Sequence, residues 1–249
     1  MRALVLSDIH GNLDALQAVL AAAGEFDVLW NLGDIVGYGA YPNEVIETVR
    51  PLATVNVRGN HDRVCCGLTS AEGFNPIAAE AANWTQRTLS PENLEWLRAM
   101  PQGPIRATAR VMCAHGSPLH EDHYIVSMRD AFMPLQRMES EITFIGHTHL
   151  QGGFSQRNED WEEARPSYSD DDTLEAIDME VPKGTRHLIN PGSVGQPRDG
   201  DWRAAFAIYD DEVERVTFFR IPYNVKAAQE AIRQAKLPER LASRLSQGR

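Results

Sequence analysis

The chain has 249 residues, of which 43% are hydrophobic and 24% are charged, and its formal net charge is −11. This length suits one large domain and is marginal for two, so we predict a single domain over residues 1–249. The acidic balance argues against binding to a nucleic acid duplex, because that binding requires a basic face. It does not exclude a phosphorylated substrate, because bound metal ions reverse the local field.

The apolar runs and the cysteines restrict the location of the protein. No apolar run approaches the roughly 20 residues that cross a bilayer, and the N-terminus enters a strand pattern without the features of a signal peptide. The three cysteines, Cys65, Cys66 and Cys113, are too few and odd in number for a disulfide framework. We therefore predict a cytoplasmic protein without a membrane partner, and a homo-oligomer is possible.

The first hundred residues alternate between strand-like and helix-like patterns. Strands are predicted at residues 3–6, 28–30 and 54–57, and helices from Asn12 to Gly24 and at residues 42–49, 77–89 and 91–100. Asn12 can cap the first helix, on which Leu13, Leu16 and Leu20 share one apolar face. This alternation predicts a mostly parallel sheet that is covered by helices.

The second half of the chain is richer in strand patterns. Strands are predicted at residues 110–114, 142–145, 186–189, 204–209 and 213–219, with a hairpin-like turn at residues 210–212. We expect these strands to build a second sheet on the first. The predicted fold class is therefore α/β, with a four-layer α-β-β-α sandwich of two mixed sheets flanked by helices.

Two segments stand apart from this pattern. Residues 155–185 are acidic and contain few apolar residues, which indicates either a solvated excursion or a flap over the functional site. Residues 224–247 predict two short helices, the second opening at Pro238. In the first of these, Val225, Ala228 and Ile232 are spaced to pack against the rest of the protein.

Five short motifs follow apolar runs in the first 150 residues, and they carry most of the functional information. They are Asp8-Ile9-His10, Gly33-Asp34, Gly59-Asn60-His61-Asp62, His115-Gly116 and Gly146-His147-Thr148-His149. Ligand sites of open α/β sheets form beyond the carboxyl ends of strands, where all five motifs fall. Residues two apart on an extended backbone point the same way, so Asp8 and His10 could share one metal. One Asp-x-His motif alone is weak evidence for a metal site, but the five motifs together predict a two-metal hydrolytic site.

This series resembles the calcineurin-like metallophosphoesterase superfamily over residues 1 to about 150. The segment Asn190-Pro191-Gly192-Ser193-Val194-Gly195 resembles its small bacterial branch, which includes phosphodiesterases and proteins like diadenosine tetraphosphatase. The resemblance implies two bound metals. One would be held by Asp8, His10, Asp34 and His149, and the other by Asp34, Asn60, His115 and His147. It also implies that a metal-bridging hydroxide attacks phosphorus.

The resemblance assigns a separate role to His61, which is not among the implied ligands. His61 would protonate the leaving group or stabilise the transition state, and Asp62 would orient its imidazole and make it more basic. The nitrogen and oxygen donors suit Mn, Fe, Ni, Co or Zn, and the resemblance favours Mn²⁺. Two divalent metals would keep the site positive after Asp8, Asp34 and a hydroxide are counted.

Residues outside the motifs are candidates for substrate binding. Arg198 could grip a second phosphate through two hydrogen bonds, or be an exposed structural residue, and Arg58 could do the same. Tyr38 could stack on a base, although packing is the simpler interpretation.

We expect a phosphoesterase that acts on a small phosphorylated substrate with a phosphodiester bond. Dinucleoside polyphosphate hydrolase and protein phosphatase are the alternatives. A non-catalytic scaffold with the same fold, such as the retromer subunit of this superfamily, is the alternative of a different class. The presence of His61 and of every implied ligand favours an enzyme.

Overall fold

Two six-stranded mixed sheets form the centre of the protein in the computed structural model, which describes residues 1–249. In spatial order, the first sheet contains β3 (Ala53–Asn56), β2 (Val28–Asn31), β1 (Arg2–Leu6), β11 (Ala204–Asp210), β12 (Arg215–Ile221) and β9 (Glu175–Glu180). The second contains β4 (Ile105–Arg106), β5 (Val111–Cys113), β6 (Ile142–Phe144), β10 (Arg186–Asn190), β7 (Gly152–Arg157) and β8 (Asp160–Ala164).

Each sheet is parallel in one part and antiparallel in the other. In the first sheet β1, β2 and β3 pair in parallel, while β11, β12 and β9 continue it antiparallel. In the second sheet β5, β6 and β10 pair in parallel. The prediction of a mostly parallel sheet therefore holds only for the strands that alternate with helices, because consecutive hairpin strands pair antiparallel.

Helices cover the outer faces of both sheets. They are α1 (Leu13–Ala22), α2 (Pro42–Val49), α3 (Asn60–Cys65), α4 (Pro76–Thr88), α5 (Pro91–Ala99), α6 (Met128–Arg137), α7 (Val225–Gln234) and α8 (Glu239–Ser243), followed by a 3₁₀ turn at Leu245–Gln247. Only α6 packs on the second sheet, where Ala131 and Leu135 contact Leu188 and Phe154. The other long helices lie on the first sheet. None of the helices combines the length and apolar character that a membrane span requires.

The alternation of side chains along β1 explains the layers. Ala3 and Val5 enter the core between the sheets, together with Ile142 and Phe144 of the second sheet. Leu4 and Leu6 point to the opposite face and enter the core beneath the helices. Because both faces of β1 are buried, its sequence is continuously apolar. The predicted four-layer α-β-β-α sandwich is confirmed.

Several local predictions are confirmed. The side chain of Asn12 caps α1 by accepting a hydrogen bond from the amide of Ala15 at 3.1 Å. The predicted tail helices form α7 and α8, and Ala228 and Ile232 are buried in the core beneath the helices. Helix α3 was not predicted, because it has only six residues and no room for an apolar period.

Residues 155–185, which were interpreted as a solvated excursion or a flap, are mostly exposed or half-buried but form strands over much of their length. Strands β7 and β8 form a hairpin at one edge of the second sheet, and β9 pairs with β12 at the edge of the first. Most side chains of β8 and β9 remain exposed or half-buried. Edge strands carry charged residues because these discourage pairing with other chains, so an acidic composition is compatible with a strand.

Candidate metal centre

The five motifs converge at one end of the two sheets. Asp8 and His10 follow β1, Asp34 follows β2, and Asn60 begins α3 after β3. His115 follows β5, and His147 and His149 follow β6. Each of these side chains except that of Asn60 is at most 4% exposed. The carboxyl ends of strands from both sheets thus enclose one buried polar cluster.

The first group of ligand atoms contains Asp8, His10 and His149. His149 Nε2 lies 3.2 Å from Asp8 Oδ1 and 3.2 Å from His10 Nε2. All three donor atoms lie within 4.8 Å of one another. One carboxylate oxygen and two imidazole nitrogens at this spacing can hold a single cation.

The second group contains Asp34, His115 and His147, whose donor atoms also lie within 4.8 Å of one another. His115 Nε2 is 3.4 Å from Asp34 Oδ2 and 3.2 Å from His147 Nδ1. The amide oxygen of Asn60 approaches the same His115 nitrogen at 3.2 Å. This group therefore offers two imidazoles, one carboxylate and one neutral oxygen.

Asp34 lies between the two groups. Its Oδ2 atom is 3.7 Å from His10 Nε2 of the first group and 3.4 Å from His115 Nε2 of the second. Its other oxygen accepts a hydrogen bond from the amide of His61 at 2.8 Å. That bond fixes the carboxylate with Oδ2 directed into the cluster, which is the arrangement that a bridging ligand needs.

Backbone carbonyls orient three of the four histidines. The Nδ1 atoms of His10, His115 and His149 lie 3.1, 2.9 and 2.6 Å from the carbonyl oxygens of Val36, Leu32 and Gln196. A carbonyl only accepts hydrogen bonds, so each Nδ1 donates its proton. Each Nε2 then faces the cluster and can bind a metal through its lone pair once it carries no proton.

The backbone at the ligand residues is not extended. The expectation that Asp8 and His10 point the same way because they lie two apart on a strand therefore had the wrong geometric reason. Asp8, His10, Asp34, His147 and His149 all have φ between 49° and 67°. Left-handed backbone is costly for residues other than glycine and concentrates at functional sites. Asp8 and His10 do share a group, but His147 and His149 belong to different groups. Tight turns at the strand ends, and not strand alternation, aim these side chains.

Two glycines permit this close packing. A side chain at Gly59 would collide with the Asp34 carboxylate, and one at Gly33 would come within 2.9 Å of His115 Nδ1. Gly33 also has a φ of +104°, which other residues rarely adopt.

The electrostatics of the cluster fit a pair of cations. Asp8 Oδ1 is buried and has no hydrogen-bond partner. Burial would raise the pKa of Asp34, but the facing imidazoles, chiefly that of His115, hold it well below its ordinary value. Burial would lower the pKa of His115, but the Asp34 and Asp8 carboxylates raise it to about 10. The two carboxylates thus draw positive charge into a site from which water is largely excluded.

His61 lies beside the cluster without belonging to either group. Its ring packs against Tyr38 and Phe74, with centroid distances of 4.4 and 4.5 Å, and edge-on to His10 at 4.9 Å. Its Nδ1 atom is buried and has no hydrogen-bond partner. Burial lowers the pKa of His61 to about 4, so the ring is neutral at pH 7.

The predicted action of Asp62 on the imidazole of His61 is wrong. Asp62 accepts hydrogen bonds from the amides of Asp34, Gly59 and Val36 at 2.8, 3.0 and 3.2 Å, and it makes none to His61. It therefore ties the loop after β2 to the start of α3. Burial raises the pKa of Asp62 to about 7, and the nearby Asp34 carboxylate adds to the shift.

The segment from Asn190 to Gly195 makes hydrogen bonds to the loops that carry the ligands. Ser193 Oγ donates to the carbonyl of Asp8 at 2.7 Å, and the amide of Gly195 donates to the same carbonyl at 3.0 Å. Asn190 Nδ2 donates to Gly146 and Thr148 at 2.9 Å each. This segment thus holds the ligand turns after β1 and β6 in one arrangement.

The structure brings Arg198 to the metal centre but not Arg58. The Arg198 guanidinium lies 5.9 Å above the centre of the Tyr38 ring, and its Nη2 donates to Gln196 at 3.1 Å. One cleft is lined by Asn60 and His147 and another by Tyr38 and Arg198, and Arg58 lines neither of the two clefts. Its amide instead donates to the carbonyl of Pro101 at 2.9 Å. Tyr38 is 8% exposed and packs against His10 and His61, so its ring is not free to stack on a base.

Other residues at the centre had not been predicted. Tyr124 covers His147 with a centroid distance of 3.9 Å, and Phe74 contacts His61. Arg240, Arg244 and Arg249 line one of the two clefts together with Arg198, and we call this space the arginine cleft. No motif marks these residues, because surface tyrosines and arginines of an amphipathic helix are common in any soluble protein.

Comparisons with known proteins agree with this geometry. The profile of the calcineurin-like phosphoesterase family matches residues 1–172. An uncharacterized protein of Methanocaldococcus jannaschii is 36% identical over 98% of this chain and 97% of its own length. The crystal structure of a metallophosphoesterase from Sphaerobacter thermophilus is 41% identical, with a TM-score of 0.85 over 100% of this chain and 99% of that one.

A more distant relative carries a named activity. The symmetrical bis(5'-nucleosyl)-tetraphosphatase of Yersinia enterocolitica is 29% identical over 120 residues, which are 46% of this chain and 41% of that protein. The match thus spans less than half of the named enzyme. Together with the extent of the profile match and the two ligand groups, these comparisons show that the chain belongs to the calcineurin-like phosphoesterase family and is a metal-dependent phosphoester hydrolase with a dinuclear divalent metal site.

Proposed function

We propose that the protein hydrolyses a phosphodiester bond in a small phosphorylated molecule. The observation that carries this proposal is the position of Asp34 between two ligand groups, with the non-ligand imidazole of His61 beside them. Asp8, His10, Asp34 and His149 would hold one metal, and Asp34, Asn60, His115 and His147 the other. We favour Mn²⁺, and Fe, Ni, Co and Zn suit the same donors. When bound, two such ions activate a water molecule and neutralise phosphoryl oxygens.

His61 is proposed to serve the leaving group. Its ring is held by Tyr38 and Phe74, so its orientation is set before substrate arrives. A neutral imidazole still carries one N–H, and that group can donate to the oxygen that leaves phosphorus. Asp62 supports this role indirectly, because its bonds to Asp34, Val36 and Gly59 place the backbone on which His61 stands.

Arg198 is proposed to contact phosphate oxygens that the metals do not hold. Its neighbour Asp199 pairs with the buried Arg220, and Asp199 also accepts a hydrogen bond from the amide of Gln151 at 3.3 Å. The loop that carries Arg198 is therefore anchored on the core. A planar guanidinium in a fixed loop favours phosphate because two of its N–H groups match two phosphate oxygens.

Dinucleoside polyphosphate hydrolysis is the second candidate function. The name of the Yersinia relative supports it, and so does the presence of several arginines beside the metal centre. Protein phosphatase activity requires room for a peptide chain, for which no specific observation argues.

A substrate panel tests the proposal. The purified protein is assayed with Mn²⁺, Fe²⁺, Ni²⁺, Co²⁺ or Zn²⁺ on an aryl phosphodiester, an aryl phosphomonoester, a dinucleoside tetraphosphate and a phosphopeptide. We expect turnover of the aryl diester to exceed that of the monoester and the phosphopeptide, and metal-stripped protein to be inactive. Faster turnover of the monoester or the phosphopeptide would contradict the proposed bond specificity.

A further inference from the structure

The arginine cleft opens directly beside the metal centre. It has a volume of about 850 Å³, within the range of pockets that hold small ligands. Arg198 and Tyr38 form the wall nearest the metals, because Tyr38 packs on His10 at 4.6 Å and the amide of Arg198 donates to the carbonyl of His149 at 3.3 Å. Arg240 and Arg244, at the two ends of α8, line the same cleft.

No aspartate or glutamate side chain neutralises these guanidinium groups. None of the residues that line the cleft is an aspartate or a glutamate. None of the ion pairs of the structure involves Arg198, Arg240, Arg244 or Arg249. What sets these four arginines apart is that they line one space.

Some arginines outside the cleft are paired. Arg63 contacts Glu121 and Asp122, and the buried Arg203 and Arg220 contact Asp201 and Asp199. In the cleft, Arg244 donates from Nε to the terminal main-chain oxygen of Arg249, and the Arg198 side chain donates to Gln196. Burial lowers the pKa of Arg244 to about 10, and the positive charge of Arg198 contributes to the shift. The guanidinium groups therefore repel one another across the cleft.

The N-terminal turn of α4 adds to the positive field. Asn75, Pro76 and Ile77 line the cleft, and α4 has 13 residues, so the positive end of its dipole lies at this wall. Several guanidinium groups and a helix N-terminus that line one space favour an anion with several charges. Because Tyr38 and Arg198 line the cleft and contact His10 and His149, such an anion can extend toward the phosphoryl group that reacts.

We propose that the arginine cleft binds a chain of phosphates next to the scissile phosphoryl group, so that the natural substrate is a polyphosphorylated small molecule. Arg198 would contact the first of these phosphates, and Arg244 and Arg240 those farther from the metals. This inference rests on the proposed hydrolytic function, and it adds the C-terminal helix α8 as the determinant of substrate class.

Calorimetric titration of the Mn²⁺-loaded protein tests the inference, with Mn²⁺ in excess over every ligand. Wild type should bind inorganic tripolyphosphate at least about tenfold more tightly than orthophosphate, because each charge-assisted hydrogen bond to the cleft adds affinity. The variant Arg240→Ala/Arg244→Ala should lose about tenfold in affinity for tripolyphosphate and less than about twofold for orthophosphate, which stays at the metals. Adenosine tetraphosphate tells whether a nucleotide is preferred to an inorganic chain.

Two further variants control for a general loss of positive charge and for misfolding of the double variant. Arg87→Ala/Arg215→Ala removes the same charge from exposed sites outside the cleft, and it should bind both anions as wild type does. Arg240→Ala alone changes an exposed residue and should fold even if the double variant does not. It should weaken tripolyphosphate binding about threefold.

Two results would overturn the inference. In one, wild type binds tripolyphosphate no more tightly than orthophosphate; in the other, the cleft variants bind tripolyphosphate as wild type does. The proposed hydrolytic function would instead be contradicted in the substrate panel, if wild type turned over no aryl diester with any of the metals. The binding comparison stays informative in that case, so the two failures are distinguishable.

Discussion

The metal centre contains two buried carboxylates among four buried histidines, whereas the arginine cleft is open and is lined by no aspartate or glutamate. The centre draws in cations, since its carboxylates raise the pKa of His115 to about 10. The cleft is positive before any metal binds. A bound substrate would thus contact the fixed positive charge of the cleft arginines at one end and the bound metals at the other. The difference shows how a protein with a net charge of −11 handles a polyanion, because the local field and not the net charge decides which ions bind.

The first prediction tests whether the metal centre depends on the shared carboxylate. Asp34→Asn should reduce the bound metal to one ion or none per chain, because the amide cannot offer a charged oxygen to both groups. Turnover of the aryl diester should fall at least about a thousandfold, since metals supply several kcal/mol of transition-state stabilisation. Metal content is measured by plasma mass spectrometry, and turnover by steady-state assay.

Asp160→Asn is the matched control for Asp34→Asn, because Asp160 is an exposed carboxylate that belongs to no group of possible metal ligands. It should keep both the metal content and the turnover of wild type. Retention of two metals by Asp34→Asn would show that the carboxylate is not the bridge between the groups.

The second prediction separates catalysis from metal binding within the centre. His61→Ala should keep two metals per chain and lose turnover by at least about a hundredfold, because the leaving oxygen loses its donor. His123→Ala, at an exposed histidine, serves as the control. Parallel loss of metal and of activity in His61→Ala would mean that His61 supports the ligands instead of the leaving group.

The third prediction is the smallest and contrasts the two regions directly. Raising the ionic strength from about 0.05 M to about 0.5 M shortens the range of charge interactions, so contacts with the exposed Arg240 and half-buried Arg244 should weaken. The KM for a dinucleoside tetraphosphate should rise about threefold, whereas the KM for an aryl diester, held mainly at the buried centre, should change less. An equal rise for both substrates would argue against a distinct role of the cleft.

The segments predicted correctly from the sequence are those whose burial produces a regular apolar period. The boundaries of α2 were predicted at both ends, because Pro42 marks its start and Val45, Ile46 and Val49 form its buried face. The acidic strands β8 and β9 were missed, because their pairing depends on neighbours such as β12 rather than on an apolar period of their own.

In the metal centre, too, the features that depend on local patterns were predicted and those that depend on distant segments were not. The ligand positions were recognisable because each follows a buried strand, and the carboxyl ends of those strands must meet at one end of the sheets. The role of Asp62 was not recognisable, because the amides of Asp34 and Val36 that it binds come from a different loop.

The sequence by itself determined the layered α/β fold, the five motifs that converge and the reaction class, since each depends on local patterns and on their order along the chain. Only the tertiary structure decided that Arg240 and Arg244 line one cleft with Arg198. Their position depends on α7, which packs against α1 and carries α8 back across the first sheet to the loop of Arg198. Contacts between segments so distant in the chain leave no local pattern, because they depend on how complete elements pack.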